Sequence, residues 1–248
     1  METMTTRAPF LNQRYGGFYH RDIPKEDEEL THVGPGTPCG EYLRRFWHPV
    51  AASDDLNDLP LALRIMGEDL VAFRDKKGRV GLVELHCTHR GTSLEYGQIE
   101  EEGIRCCYHG WLFGYDGAIL ETPGEPPEST FKDRLCQGAY PTHEYMGMLW
   151  AYMGPPEEQP LFPIYDTFNK VPGFCLSKPG REYWPCNWLQ VKDNSMDPFH
   201  TAVLHGYEVT MGVGAFSKTF QEFGRLDWME SPIGTIYMHS RRVRDKVW

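Results

Sequence analysis

The chain has 248 residues, 40% of them apolar and 13% aromatic, which is enough to build one large domain or two ordinary ones and excludes wholesale disorder. Thirty-five acidic residues against 25 basic ones leave a formal charge of −10, which repels phosphate backbones and argues against a nucleic-acid partner. No apolar run approaches the ~18 residues of a membrane span. The first residues lack the apolar core of a secretory signal. Seven cysteines at spacings that suggest no disulfide framework complete the expectation of a reducing, cytoplasmic setting.

Residues 1–40 read as a polar arm rich in Gly and Pro, leading into a short helix over 40–47. Short apolar or alternating runs follow at 61–66, 70–74 and 80–85, separated by GlyGluAsp and AspLysLysGlyArg, which predicts strands joined by turns. Residues 113–120 read as a hairpin about Asp116-Gly117, and 146–153 as a further strand. The stretch 48–153 is therefore expected to be a small all-β domain. GlyProProGluGluGlnPro (154–160) reads as a linker, 187–205 as helical and 234–239 as a strand. The expected organisation is an N-terminal arm (1–40), a first domain (41–155) and a second, mixed α+β region (156–248).

The strongest chemical signal is Cys87-Thr-His89, sixteen residues, then Cys106-Cys-Tyr-His109. Each cysteine–histidine pair sits in a Gly-bounded loop after a strand. A [2Fe–2S] cluster with two thiolates on one iron and two imidazoles on the other needs one Cys and one His from each of two loops. Neutral imidazoles lower the negative charge and raise the reduction potential. Gly91 and Gly110 are expected to let backbone N–H groups approach the sulfurs. The competing reading is a tetrahedral Cys₂His₂ zinc site, but zinc fingers present a Cys pair and then a His pair, whereas each loop here mixes the two. Cys106 is preferred over Cys107, which reads as a buried free thiol.

With HisArgGly and TyrHisGlyTrp around those ligands, the pattern resembles the Rieske domain, and more closely that of the aromatic-ring-hydroxylating Rieske non-haem iron oxygenases. The resemblance covers about residues 37–155. It implies a β-sandwich whose two cluster loops project from a small subdomain.

A second constellation lies in Asn187 to His205. On a helix, Asp193 and Asp197 share a face that His200 continues. His205 falls off that face, so bringing both rings to one metal requires a break or local unwinding after His200, and Pro198 is suited to shape it. Two histidines and a carboxylate on one side of an iron leave positions open for O₂. A helix bearing solvated carboxylates and two ordinary histidines is the plainer alternative. The run Asp197-x-x-His200-x₄-His205 is similar to the mononuclear-iron motif of the same oxygenases. That likeness implies His200 and His205 as ligands of a mononuclear Fe(II), and Asp197 as a carboxylate bridging an iron histidine to a cluster histidine of a neighbouring subunit. It implies a helix-grip-like catalytic domain, whose third ligand is an Asp or Glu far downstream. Trp248 stands 43 residues past His205. The acids in between (Glu208, Glu222, Asp227, Glu230 and Asp245) stand in no recognisable motif, so the third ligand is expected beyond Trp248, in a domain represented here by its N-terminal part.

AspAsnSerMetAspProPheHis and GlyThrProCysGlyGluTyrLeuArgArgPheTrp are most similar to the phthalate 4,5-dioxygenase-like branch. The resemblance then implies an α subunit that takes electrons from an NAD(P)H-dependent flavin and iron–sulfur reductase, or from a ferredoxin. It would hydroxylate or O-demethylate a small aromatic substrate with O₂, as a homotrimer. A Rieske-type electron carrier and a zinc-stabilised interaction protein are the competing readings. Among the remaining residues, Trp111 and Tyr108 are expected to pack over the cluster, and His48 and His86 to be structural. Arg90 reads equally as an ion-pair partner or a solvated charge. Cys39, Cys136, Cys175 and Cys186 read as small buried apolar residues.

Overall fold

The computed structural model describes residues 14–15, 25–166, 172–173, 177–205, 224–232, 234–243 and 245–247. His20, Cys175, Glu208 and Glu222 lie outside the described residues. The chain divides into two compact units, residues 1–183 and 184–248.

Among the described residues the regular structure of the first unit is mainly antiparallel strand: β1 (Trp47–Ala52), β2 (Leu61–Ile65), β3 (Glu68–Arg74), β4 (Val80–Glu84), β5 (Gln98–Ile99), β6 (Ile104–Arg105), β7 (Leu112–Phe113), β8 (Ile119–Glu121), β9 (Ala139–Tyr140), β10 (Thr142–Tyr145) and β11 (Met148–Tyr152). They form three sheets, in the orders β1-β11-β10, β2-β3-β4-β9 and β5-β6-β7-β8. The middle sheet is buried on both faces, and strand alternation decides which side chain goes where. Leu70, Ala72 and Leu82 point into one core with Val50, Leu149 and Ala151. Val71, Phe73 and Val83 point into the other, with Leu94, Ile104, Phe113 and the two thiols Cys87 and Cys106. This explains the near-continuous apolar runs of β3 and β4. Each fully buried Leu, Val or Phe there contributes roughly 1.5–3 kcal/mol.

Two hairpin turns take residues from the expected strands, one from the end of 61–66 and two from the start of 146–153. Met66 (φ 44°) and Gly67 (φ 80°) form the β2–β3 turn, and Met146 (φ 53°) and Gly147 (φ 76°) the β10–β11 turn. Positive φ at both central residues is the hairpin geometry that matches strand twist. So β2 stops at Ile65, and β11 begins at Met148 rather than 146.

The helix expected over 40–47 is shorter and earlier. It runs Pro38–Leu43, with Thr37 as N-cap accepting from the Gly40 N–H at 3.2 Å and Pro38 in the first turn. Trp47, His48 and Pro49 instead pair with Tyr152, Ala151 and Trp150. Sheet pairing overrides the local helical pattern. Pro49 is tolerated because β1 is an edge strand with a register shift between Pro49 and Ala51. His48 accounts for itself structurally, its Nε2 lying 2.6 Å from the Leu43 carbonyl. Arg44, 4% exposed, pairs with Glu68 and donates to the Met66 carbonyl at 2.9 Å. This pins the end of the helix to the β2–β3 turn. The segment 154–160 is held to the same unit: Trp47 Nε1 donates to the Pro160 carbonyl at 3.0 Å and Tyr152 Oη to that of Pro155 at 3.0 Å.

In the second unit, a helix spans Trp188–Ser195, capped by the Asn187 side chain. A short helical turn, Pro198–His200, and a π-turn, Thr201–His205, follow. Strands β12 (Arg225–Ser231) and β13 (Gly234–Ser240) pair as a hairpin, and β14 (Arg242–Val243) pairs with β15 (Lys246–Val247). The fold class is thus β for the first unit and α+β for the second. Among the described residues no helix is long and apolar enough to cross a membrane.

Candidate metal centre

Two loops of the first unit share one backbone frame. In the first, Cys87 N–H donates to the Thr92 carbonyl at 2.9 Å, and Gly91 N–H returns to the Cys87 carbonyl at 2.7 Å. In the second, Cys106 N–H donates to Trp111 at 2.9 Å, and Gly110 N–H returns to Cys106 at 3.1 Å. Each loop therefore closes over the five residues that begin with a buried cysteine. Gly91 (φ 71°) and Gly110 (φ 74°) supply the left-handed residue that closes it. A Cβ at Gly91 would meet nothing within 4 Å, so backbone conformation rather than space requires glycine there. The glycines' own N–H groups bond the cysteine carbonyls, and the loop they close lets other backbone N–H groups approach the sulfur, as expected. The N–H groups of His89 and Arg90 are the ones that reach the Cys87 sulfur.

Both thiols are 3% exposed. Burial, with the adjacent Cys106 thiol, pushes Cys87 up to about 11, while those two N–H groups pull it down. Two thiols this close and this dry invite a cation to share, and the inward N–H dipoles suit a sulfur that carries charge. The imidazoles of His89 and His109 are partly exposed, their centroids 4.7 Å apart. Burial, then His109 and Arg90, hold His89 below its ordinary value, favouring the neutral ring that ligates metals. Trp111, 2% exposed, stacks on His89 at 4.6 Å and 3°.

Four sequence-predicted donors (Cys87, His89, Cys106, His109) are thus brought together as a thiol pair and an imidazole pair. Among the described residues no three His, Cys, Asp or Glu side chains converge as one ion would need. Paired donors of two kinds fit a two-iron cluster better than a single zinc.

Several expectations need correction. Cys107 is exposed rather than buried, because the shared frame turns its neighbour Cys106 inward. Cys136 and Cys186 are exposed and Cys39 is partly so. Tyr108 sits against His109 at 3.8 Å but is 64% exposed, so it shields little. Two others agree with their readings: Arg90 is exposed, as its solvated alternative has it, and His86 is structural, its Nδ1 lying 3.0 Å from the Gly91 carbonyl.

Two residues that carried no sequence signal hold the loops. Gln137 bonds the first loop at Thr88, and Arg105 donates to the Gly110 carbonyl of the second at 2.6 Å while pairing with Glu100 and Glu121. Neither lies in a motif; only the tertiary fold places Gln137 beside Thr88, 49 residues away.

In the second unit the single helical face expected for Asp193, Asp197 and His200 does not form. Pro198 drives the residue before it out of helical space, and Asp197 (φ −101°, ψ 101°) becomes an N-cap. Its Oδ1 accepts from the N–H of Phe199 at 2.8 Å, and Oδ2 lies 3.6 Å from His200 Nδ1. The expected unwinding after His200 is the π-turn, a feature frequent at functional sites. The side chain of His205 lies outside the described residues. Trp184, Gln190, Val191, Asp193, Asn194 and Asp197 line a cleft of about 440 Å³.

The Rieske [2Fe-2S] domain family matches residues 46–139. The oxygenase subunit of tert-butanol monooxygenase / tert-amyl alcohol desaturase from Aquincola tertiaricarbonis is 45% identical, over 94% of this chain and 52% of that one. The α subunit of phenoxybenzoate dioxygenase from Ectopseudomonas oleovorans is 42% identical, over 98% and 62%. The chain carries a Rieske domain and is similar along nearly its whole length to oxygenase subunits. The oxygenase subunit of phthalate 4,5-dioxygenase from Pseudomonas putida, whose branch the sequence resembles, is 35% identical over 84% of this chain and 48% of that one. The chain spans about half the length of the curated relatives it matches.

Proposed function

We propose that the chain serves the oxygenase component of a multicomponent Rieske system. Cys87 and Cys106 would hold one iron of a [2Fe–2S] cluster and His89 and His109 the other, while His200 and His205 would hold a mononuclear Fe(II). When bound, these groups supply single-electron storage and O₂ activation. The chain's own residues set the conditions. The second core keeps water from the thiolate side, Trp111 fixes the plane of His89, and the partly exposed imidazole edge leaves the cluster accessible to a reductase or ferredoxin. Asp197 orients His200 and offers a carboxylate for a neighbouring subunit's histidine, which makes a closed homotrimer the expected assembly.

The observation that carries the oxygenase reading over an electron carrier is the Asp197-capped turn running into the π-turn at 201–205, since a carrier needs nothing past the first unit. The relatives' names suggest the substrate class. Phenoxybenzoate and phthalate are aromatic acids, one of them a diaryl ether, and tert-butanol is a compact aliphatic alcohol. A small aromatic acid or ether, hydroxylated or O-demethylated, is the proposed substrate.

Anaerobic reconstitution should give about two cluster irons and up to one more per chain, with a rhombic EPR signal on reduction. His200→Ala should lose the additional iron and spare the cluster. In an assembled oxygenase with its reductase, Asp197→Asn keeps the cap and the iron but should slow product formation far more than iron binding. A colourless, zinc-only protein would sink the proposal. Unchanged iron content and turnover in both variants would return the electron carrier.

A further inference from the structure

The first cluster loop hangs on one buried amide. Gln137 is 2% exposed and sits just before β9. Its Oε1 accepts from the Thr88 N–H at 2.8 Å, and Thr88 is the residue between Cys87 and His89. Both hydrogens of its Nε2 are used as well, on the carbonyls of Glu84 and His86, each at 2.9 Å. One side chain therefore grips residues 84, 86 and 88, the stretch that delivers Cys87 and His89 from the end of β4. Its own backbone is anchored on the far side, where Gln137 N–H donates to the Gly117 carbonyl at 2.9 Å. The chain approaches so closely that a Cβ at Gly117 would stand 2.2 Å from the Gln137 carbonyl oxygen. No other hydrogen bond to the Thr88 N–H is seen among the described residues. A fully satisfied amide in a dry site is rigid, and removing it strands three backbone groups at once.

We infer that Gln137 is a positioning residue for the Cys87–His89 half of the cluster, setting the attitude of the His89 ring and thereby the cluster's reduction potential and lifetime. The inference rests on the ligand assignment proposed above. Among the described residues the side-chain hydrogen bonds of Gln137 go to backbone groups of residues 84, 86 and 88, so it acts through the Thr88 amide. The two halves of the site are consequently held by different means, a neutral buried amide for the first loop and the charged, partly exposed Arg105 for the second.

The test uses the full chain, reconstituted anaerobically with iron and sulfide, as wild type, Gln137→Leu and Gln137→Glu. Gln137→Leu removes all three bonds at similar volume. Outer-shell changes of this kind typically cost about 10- to 100-fold in metal affinity, and cluster loss to a chelator should accelerate within that range, with shifted EPR g-values. Gln137→Glu keeps the acceptor for Thr88 and the shape but adds charge beside the loop. It should lower the potential, because reduction adds a further negative charge to the cluster. Leu149→Ala, in the other core, is the control for general destabilisation and should lower the melting temperature without altering the EPR signal or potential. If Gln137→Leu does not fold, Gln137→Glu alone decides. Wild-type EPR, potential and chelator resistance in the folded variants would overturn the inference. A wild-type chain that forms no cluster overturns the ligand assignment instead.

Discussion

Arg105 allows a quantitative prediction. Its side chain is 21% exposed and donates to the Gly110 carbonyl at 2.6 Å, to Glu100 Oε2 at 2.8 Å and to Glu121 Oε2 at 2.7 Å. Arg105→Met removes all of these while keeping much of the aliphatic stem. The bond to the Gly110 carbonyl, from a charged donor to a partly buried acceptor, is worth roughly 1.5–3 kcal/mol. The Glu100 pair adds about 1 kcal/mol, and the Glu121 pair, with its carboxylate more than half exposed, less than about 1 kcal/mol after screening. The sum is about 3 kcal/mol, and for a unit of this size each kcal/mol moves the melting temperature by about 2–4 °C. Calorimetry of the cluster-free chain should therefore show the first unit's transition falling by roughly 6–12 °C. Arg105→Lys keeps the charge but not the planar fork, and should fall in between. Salt at about 1 M screens exposed pairs and should erase only the smaller part of the difference. A loss under about 1 kcal/mol, or one that salt removes entirely, would show that the Gly110 bond does not anchor the loop.

Three further outcomes follow from the same geometry. Cys106→Ser should abolish the visible chromophore of the reconstituted chain, whereas Cys107→Ser should leave both colour and stability within about 0.5 kcal/mol of wild type; the reverse pattern would move the ligand to Cys107. Gly91→Ala pays only for a left-handed backbone, roughly 1–2 kcal/mol, while Gly117→Ala drives a Cβ into the Gln137 carbonyl and should cost more than about 3 kcal/mol; equal losses on denaturant unfolding would contradict the packing. Arg74 holds the Glu144 carboxyl below its ordinary value of 4.5. The unfolded chain then binds the proton more readily, so this stability is fully present above that ordinary value and is lost as pH falls through the lowered one. Arg74→Met should flatten the acid limb of a stability–pH curve, and an unchanged slope would refute the pairing.

The cluster loops were legible in the sequence because ligation is a demand on residue type. Only thiols and imidazoles serve, they must come from two loops, and Cys87, His89, Cys106 and His109 stand in that order. The strands were legible through apolar runs bounded by turn residues, though the Met66-Gly67 and Met146-Gly147 turns trimmed β2 and β11, since methionine gives no hint of positive φ. The unwinding after His200 could be anticipated from its spacing to His205. The capping geometry of Asp197 could not be: Pro198 overrides the helical face that periodicity draws and makes the carboxylate a cap.

Beyond the motifs, three-dimensional packing took over. Cys106 and Cys107 are identical as residues, and what turns one inward and the other to solvent is the bond from Cys106 N–H to the Trp111 carbonyl. The helix expected over 40–47 gives way because Trp47 finds a partner in Tyr152, more than a hundred residues on. Gln137 and Arg105 hold the loops through bonds to backbone atoms of Thr88 and Gly110. Backbone groups are the same at every position, so no local pattern marks the side chains that will meet them. The sequence by itself thus settled which atoms are able to ligate, and the fold alone decided which side chains keep them in place.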